Sequence, residues 1–167
     1  MIKKILVNGK TKLVGNIKVS GAKNSALKLI CASILLKDGT LKLSNIPNLL
    51  DITTLIRLQN CLGGKMILDG DLTNKGNGKT IILDNTELNS YFAPYEIVSQ
   101  MRASFVVLGP LLARFGKAEV SLPGGCAIGS RPVDIHLNAF KQMGVDINTE
   151  NGYVKAQCHN GKLQGAD

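Results

Sequence analysis

The stretch LPGGCAIGSRPVD, residues 122–134, places a cysteine in a loop that contains three glycines and two prolines. Glycine and proline favour turns, so we predict a loop over residues 123–132, between a strand at 118–122 and a helix at 133–143. A loop of this composition lets its backbone approach a ligand closely. The stretch therefore predicts a strand–loop–helix unit of an α/β fold, with a thiol in the loop.

The order helix, strand, helix, strand, strand occurs twice along the chain. For the first set we predict a helix after residue 25, a strand at 40–43, a helix at 51–62 with Asp51 as its N-cap, and strands at 65–68 and 80–83. For the second set we predict a helix at 97–113 kinked at Pro110, the strand and helix named above, and strands at 145–148 and 153–156. The sets form a repeat of about 80 residues, and their helices are expected to share one core. Two further strands are predicted at 2–7 and 15–20.

Composition narrows the classes of function. The chain has 167 residues, 44% of them hydrophobic, and a net charge of +8, which suits an anionic partner. The basic residues are scattered and no aromatic residues interleave with them, so a nucleic-acid partner is the weakest hypothesis. We expect no membrane span and no signal peptide, hence a cytoplasmic protein. We also expect no metal and no dinucleotide or P-loop cofactor site, because the ligand clusters and glycine motifs for them are absent from the sequence.

Three places are candidates for chemistry. Lys23 and Asn24 stand at the start of a predicted helix, where a cation and backbone N–H groups suit a phosphate or carboxylate; a surface lysine with a capping Asn is the alternative. Arg102 lies in an apolar stretch and must reach an anion or solvent. Cys126 has Arg131 five residues on, and a guanidinium can both lower the pKa of a thiol and bind phosphate. For Cys31, Cys61 and Cys158 we expect inert packing or surface roles.

These segments together carry a family resemblance. The stretches GAKNSA (21–26), MRAS (101–104), LGPLLARFG (108–116) and LPGGC through RPVD (122–134) resemble the UDP-N-acetylglucosamine enolpyruvyl transferases. The likeness is collinear and covers essentially the whole chain. The sister family, the 5-enolpyruvylshikimate-3-phosphate synthases, shares the fold and an Arg-Pro pair but not the cysteine loop. The resemblance implies an inside-out α/β barrel built from repeated βαβαββ units, here incomplete.

The resemblance also implies an activity and its residues. The family transfers the enolpyruvyl group of phosphoenolpyruvate to the 3′-hydroxyl of UDP-N-acetylglucosamine and releases phosphate, the first committed step of peptidoglycan synthesis. Cys126 would act as general acid and be alkylated by fosfomycin. The residues implied for phosphoenolpyruvate are Lys23, Asn24 and Arg131. Those implied for UDP-N-acetylglucosamine are Asn24, Arg102, Arg131, Pro132, Val133, Asp134 and Ile135.

Family members are more than twice as long, with three repeats in each of two domains and substrates in the cleft between them. We expect residues 21–90 and 91–167 to be the first two repeats. Residues 1–20 would supply a strand that pairs with the second domain, which with the third repeat is absent from this sequence. The chain alone is expected to be inactive. The alternative is a non-catalytic domain that binds UDP-sugar weakly.

Overall fold

The computed structural model describes residues 4–10, 12–69, 78–124 and 132–166. The helices are α1 (Lys23–Ala32), α2 (Leu50–Cys61), α3 (Tyr95–Val98), α4 (Leu108–Phe115) and α5 (Asp134–Gln142), with 3-10 turns at Ser33–Leu35 and Arg102–Val107. The strands are β1 (Thr40–Ile46), β2 (Lys65–Asp69), β3 (Lys79–Asp84), β4 (Phe92–Ala93), β5 (Lys117–Ser121), β6 (Val145–Glu150) and β7 (Tyr153–Cys158). The predicted α/β class is confirmed.

Two small sheets have the same internal order. In the first sheet, β1, β3 and β2 lie side by side in that order and both pairs are antiparallel. In the second, β5, β7 and β6 repeat this arrangement, and β4 adds to β5 in parallel. In each sheet, the first of these three strands lies between two helices in the chain. The other two form a hairpin, and the second strand of the hairpin pairs with both of the others. The repeat boundaries 21–90 and 91–167 stay a prediction.

One hydrophobic core joins the two halves. Its largest buried side chains come from both halves, mostly from helices and 3-10 turns, among them Ile30, Ile34, Leu55, Leu58, Leu108, Leu111 and Leu112, with Ile81 and Leu83 on β3. Helices of this kind carry one apolar face, which they must bury against another layer. The shared core means that neither half buries its apolar helix faces alone.

A single arginine on α4 ties the halves together by polar contacts. The guanidinium of Arg114 donates to the carbonyl oxygens of Ile34 at 3.0 Å and Leu36 at 2.8 Å, just after α1, and to that of Asn85 at 2.6 Å, after β3. An arginine fork can satisfy several acceptors at once and stays charged. Arg114 therefore caps backbone carbonyls of the first half from a helix of the second.

A buried polar cluster lies beside this junction. Ser33 Oγ donates to the carbonyl of Ile30 at 2.7 Å, and it accepts from Asn85 Nδ2 at 2.8 Å and from Gln59 Nε2 at 3.0 Å. All three polar side chains are at most 2% exposed. Buried polar groups need partners, so this cluster fixes the relative positions of α1, α2 and the end of β3.

Three sequence predictions about the helices were wrong. The expected helix at 97–113 is broken, because Met101 has an extended backbone (φ −153°, ψ 122°) between α3 and the 3-10 turn. Pro110 kinks nothing, since it lies in the first turn of α4, where an N–H has no partner within the helix. Asp51 is not an N-cap: α2 begins at Leu50, Leu49 holds the cap position, and no side chain caps it.

The predicted strands at 2–7 and 15–20 are not formed over the described residues 4–10 and 12–20. A strand needs a neighbour to accept its backbone hydrogen bonds. The apolar side chains of this segment are exposed by 78–92%, which shows that no layer of the described chain packs on them; they include Ile5, Leu6, Val7, Leu13, Val14, Ile17 and Val19.

Candidate active site

The start of α1 is held in place by a close contact at Gly21. The Gly21 N–H donates to the carbonyl oxygen of Asn45 at 3.1 Å, and a Cβ on Gly21 would lie 2.1 Å from that oxygen. Only glycine permits this approach. Asn45 has a positive φ of 57° at a register shift in β1, which turns its carbonyl towards Gly21. The contact fixes where Lys23 and Asn24, the first two residues of α1, project.

A cavity of about 290 Å³ opens beside these two residues. Lys23 and Asn24 line it from α1, Arg102 from the 3-10 turn that precedes α4, and Val133 from the residue before α5. These four residues come from three distant segments, and all four are among those implied by the family resemblance. The volume is at the small end of the range for ligand sites.

Charged and polar groups missed by the sequence analysis also line this cavity. Asp51 of α2 forms an ion pair with Lys23, with 2.9 Å between its Oδ2 and the lysine Nζ. Lys28 lies on α1 four residues after Asn24, a spacing that puts both on one helix face, and His136 lies on α5. The sequence signal for Lys28 was this helical spacing; for Asp51 and His136 the signal is visible only once the helices are packed.

Arg102 is anchored within the cavity wall. Its Nη2 donates to the carbonyl oxygen of Pro132 at 2.8 Å, which links the 3-10 turn to the entry of α5. The sequence predicts that this arginine reaches an anion or solvent. The residue is exposed to solvent, and its bond to Pro132 is to a backbone carbonyl rather than to an anion. The other N–H groups of the guanidinium are oriented by this bond and can serve an anion.

The described ends of the glycine-rich loop lie against the same short segment. Gly124 packs on Ser99, where a Cβ would be 2.7 Å from the Ser99 carbonyl oxygen, and Pro132 is bonded to Arg102. Residues 99–102 therefore hold both ends. Cys126 and Arg131, the predicted acid and its cation, lie outside the described residues.

The remaining predicted substrate contacts surround the start of α5. Pro132, Asp134 and Ile135 are exposed, Ile135 by 77%, while the Val133 side chain is 8% exposed and belongs to the core. Asp134 and Ile135 occupy the first turn of α5, where backbone N–H groups are unpaired. This stretch offers backbone donors and an exposed carboxylate to a polar ligand. The Val133 side chain is mostly buried, so a ligand could contact only a small part of it.

The other three cysteines lie away from the cavity. Cys31 is buried in the core, and burial raises the pKa of its thiol to about 12. Cys158 is also buried, and burial raises the pKa of its thiol. Cys61 is exposed at the end of α2. The thiolate is the nucleophilic form, so Cys31 and Cys158 are protected from reaction at neutral pH.

Within residues 4–10, 12–69, 78–124 and 132–166, His, Cys, Asp and Glu side chains form no group that could hold a metal ion. In the same part of the chain, no helix is both long and apolar enough to cross a membrane. Among the described residues that line the cavity, Lys23, Lys28 and Arg102 stand against the carboxylate of Asp51, and this positive surplus favours an anionic ligand.

Two solved structures with the same fold are described as an enolpyruvyl transferase and an EPSP synthase. The enolpyruvyl transferase NikO from Streptomyces tendae superposes with a TM-score of 0.72 at 21% identity, over 93% of this chain and 32% of that one. The EPSP synthase of Acinetobacter baumannii superposes with a TM-score of 0.64 at 17% identity, over 90% and 35%. The fold is therefore that of an enolpyruvyl transferase domain, present in part.

Residues 7–167 match the family described as EPSP synthase (3-phosphoshikimate 1-carboxyvinyltransferase). The chain belongs to this family. Within it, the chain is similar to two curated proteins called UDP-N-acetylglucosamine 1-carboxyvinyltransferase. This chain is 53% identical to the protein from Psychrobacter sp. (strain PRwf-1) over 97% of this chain's length. It is 52% identical to the protein from Acinetobacter baylyi over 98% of this chain's length. It spans 36% and 37% of these relatives.

Proposed function

We propose that this chain is the N-terminal part of an enzyme that transfers the enolpyruvyl group of phosphoenolpyruvate to the 3′-hydroxyl of UDP-N-acetylglucosamine. The observation that carries the proposal is the convergence of Lys23, Asn24, Arg102 and Val133 on one cavity. Identity above 50% to two UDP-N-acetylglucosamine 1-carboxyvinyltransferases supports this acceptor over 3-phosphoshikimate.

Phosphoenolpyruvate occupies the α1 side of the cavity in this proposal. Its phosphate and carboxylate meet the Lys23 ammonium, the Asn24 amide and the guanidinium of Arg131. A lysine beside a helix N-terminus suits a phosphate, because the charge and the backbone N–H groups act on the same anion. UDP-N-acetylglucosamine is held by Asn24, by Arg102 and by the stretch made of Arg131, Pro132, Val133, Asp134 and Ile135.

The chemistry proposed has two steps. The 3′-hydroxyl gives its proton to a base that the second domain would supply, and its oxygen attacks carbon 2 of phosphoenolpyruvate while carbon 3 takes a proton from Cys126, the general acid. The resulting tetrahedral ketal then returns a proton from carbon 3 to the Cys126 thiolate and expels phosphate, which restores the double bond. The cations of the cavity stabilise the negative charge that is carried by the leaving phosphate.

In the cell this reaction is the first committed step of peptidoglycan synthesis, in the cytoplasm. It would place the protein in cell-wall biogenesis, with consequences for cell shape and division, and make it the target of fosfomycin through Cys126. The small-molecule partners are the two substrates, without nucleic acid, membrane, metal or cofactor.

A second domain completes the cleft in this proposal. The curated relatives are nearly three times as long as the segment they share with this chain. The exposed apolar side chains of residues 4–19 fit a strand that pairs with that domain. Without it the 167 residues form one wall of the cleft and are expected to be inactive.

The test is phosphate release by the complete gene product, whose intact mass is measured in the same preparation. Release that requires both phosphoenolpyruvate and UDP-N-acetylglucosamine supports the transferase. Binding of UDP-N-acetylglucosamine by calorimetry without any turnover would instead support the alternative, a non-catalytic domain.

A further inference from the structure

Asp51 forms an ion pair with Lys23, the cation that the proposed function assigns to phosphoenolpyruvate. Its carboxylate lies 2.9 Å from the Lys23 ammonium, and both groups line the cavity. The two side chains are 35% and 48% exposed, so the pair is reachable by a ligand from solvent.

Asp51 does not occupy the cap position of α2. It is the second residue of the helix, Leu49 holds the cap without a side-chain hydrogen bond, and a carboxylate in the first turn suits the helix dipole. Among the described residues that line the cavity it is the only acid, and Lys23, Lys28 and Arg102 line the same cavity. Arg102 has its own acceptor in Pro132, so Asp51 compensates Lys23 in particular.

We propose that Asp51 sets how tightly the cavity holds anions, by competing for the Lys23 ammonium. An anion that binds at Lys23 must displace the carboxylate or accept its repulsion at short range. In the proposed function the substrate phosphoenolpyruvate and the product inorganic phosphate each bring a phosphate to Lys23, so both meet this competition. Asp51 thus weakens the binding of both anions and favours release of the phosphate that the reaction produces.

The inference rests on the proposed function for the identity of the substrate, but the affinity for inorganic phosphate can be measured without turnover. In the complete gene product, Asp51→Asn should lower the dissociation constant of inorganic phosphate, measured by calorimetry, by roughly fivefold, the upper end for a partly exposed ion pair. The KM for phosphoenolpyruvate should fall by a similar factor, since the substrate no longer has to displace the carboxylate. Asp51→Glu keeps the charge and should restore weak phosphate binding.

A second background separates competition from a structural effect. In Lys23→Gln, the change Asp51→Asn should alter the phosphate affinity by less than about twofold, because the contested cation is gone. Should Asp51→Asn fail to fold, Asp51→Ser keeps a small polar residue in the first turn of α2 and is expected to give the same gain.

Unchanged phosphate affinity in Asp51→Asn would overturn the proposal. Weaker phosphate binding would overturn it too, since Asp51 would then hold Lys23 in position rather than compete for it. If phosphate affinity rises as expected but no turnover of phosphoenolpyruvate with UDP-N-acetylglucosamine is found, the role of Asp51 in anion binding stands and the proposed function fails.

Discussion

The guanidinium of Arg102 donates a hydrogen bond of 2.8 Å to the carbonyl oxygen of Pro132. This contact joins the turn after α3 to the entry of α5, and it brings together two segments thirty residues apart in the chain. Arg102 is therefore both a wall of the cavity and a support for the stretch that we propose to bind the nucleotide sugar.

The substitution Arg102→Lys tests whether the positive charge alone is enough or whether the planar guanidinium is needed. Arg102→Lys keeps the positive charge but loses the planar fork that serves Pro132 and a substrate anion together, so we expect the KM for UDP-N-acetylglucosamine to rise roughly tenfold. Steady-state kinetics on the complete gene product checks this. Arg57→Lys, an exposed change on α2 away from the cavity, is the matched control and should leave KM unchanged.

Lys23 should carry most of the affinity for phosphoenolpyruvate. Lys23→Gln removes a charge-assisted contact, so kcat/KM for phosphoenolpyruvate is expected to fall by about 10- to 100-fold. Lys37→Gln removes an equal charge outside the cavity lining and serves as the control. An equal loss in both variants would mean that only the overall field of the protein attracts the substrate.

Gly21→Ala tests how α1 is positioned. The new Cβ would lie 2.1 Å from the Asn45 carbonyl oxygen, so one of the two backbones must move. We expect a loss of about 1–3 kcal/mol in the free energy of unfolding, measured in urea. Nothing lies within 4 Å of a Cβ at Gly9, so Gly9→Ala should change stability far less. Equal stability of the two variants would argue against the close approach.

Arg114 should matter for stability rather than for chemistry. In Arg114→Met, the carbonyls of Ile34, Leu36 and Asn85 lose their donor, which we expect to lower the free energy of unfolding by about 2–4 kcal/mol. Arg57→Met, on an exposed part of α2, is the control. A stability loss no greater than that of the control would contradict the role of Arg114 in joining the halves.

Thiol reactivity should follow burial. The pKa of Cys31 is raised to about 12, so at pH 8 its thiol is protonated as well as shielded, and its labelling should begin only as pH approaches that value or the protein unfolds. Cys61 is exposed and should react with iodoacetamide in the folded protein. Fosfomycin should modify Cys126 instead, and peptide mass spectrometry should find no adduct at that position in Cys126→Ser. An adduct on another cysteine in the unaltered protein would remove Cys126 from its proposed role.

Where the hydrophobic periodicity is regular, the sequence predicts the helices and strands of the fold well. The helix predicted at 133–143 is found at Asp134–Gln142, and the strand predicted at 145–148 begins at Val145 and extends to Glu150. The stretch around Met101 misled the prediction, because its apolar residues continue without a break while the backbone is extended at that one position. Local composition carries no signal for such an interruption.

The sequence predicts only some of the residues that line the cavity. Lys23, Asn24 and Arg102 stand out from their neighbours, one pair at a helix start and one charge among apolar residues. The sequence predicts Asp51 as a helix cap, because Asp favours that position. Its ion pair with Lys23 depends on how α1 and α2 pack. Contacts between segments far apart in the chain cannot be obtained from local pattern alone.

The measurement that tests the central claim most directly is a choice of acceptor. The complete gene product is given phosphoenolpyruvate with equal concentrations of UDP-N-acetylglucosamine and shikimate 3-phosphate, and the products are identified by mass spectrometry. We predict that the enolpyruvyl group appears on UDP-N-acetylglucosamine alone, with one phosphate released for each transfer, and that Lys23→Gln loses most of this product. Transfer to shikimate 3-phosphate, or no transfer to either acceptor, would contradict the account.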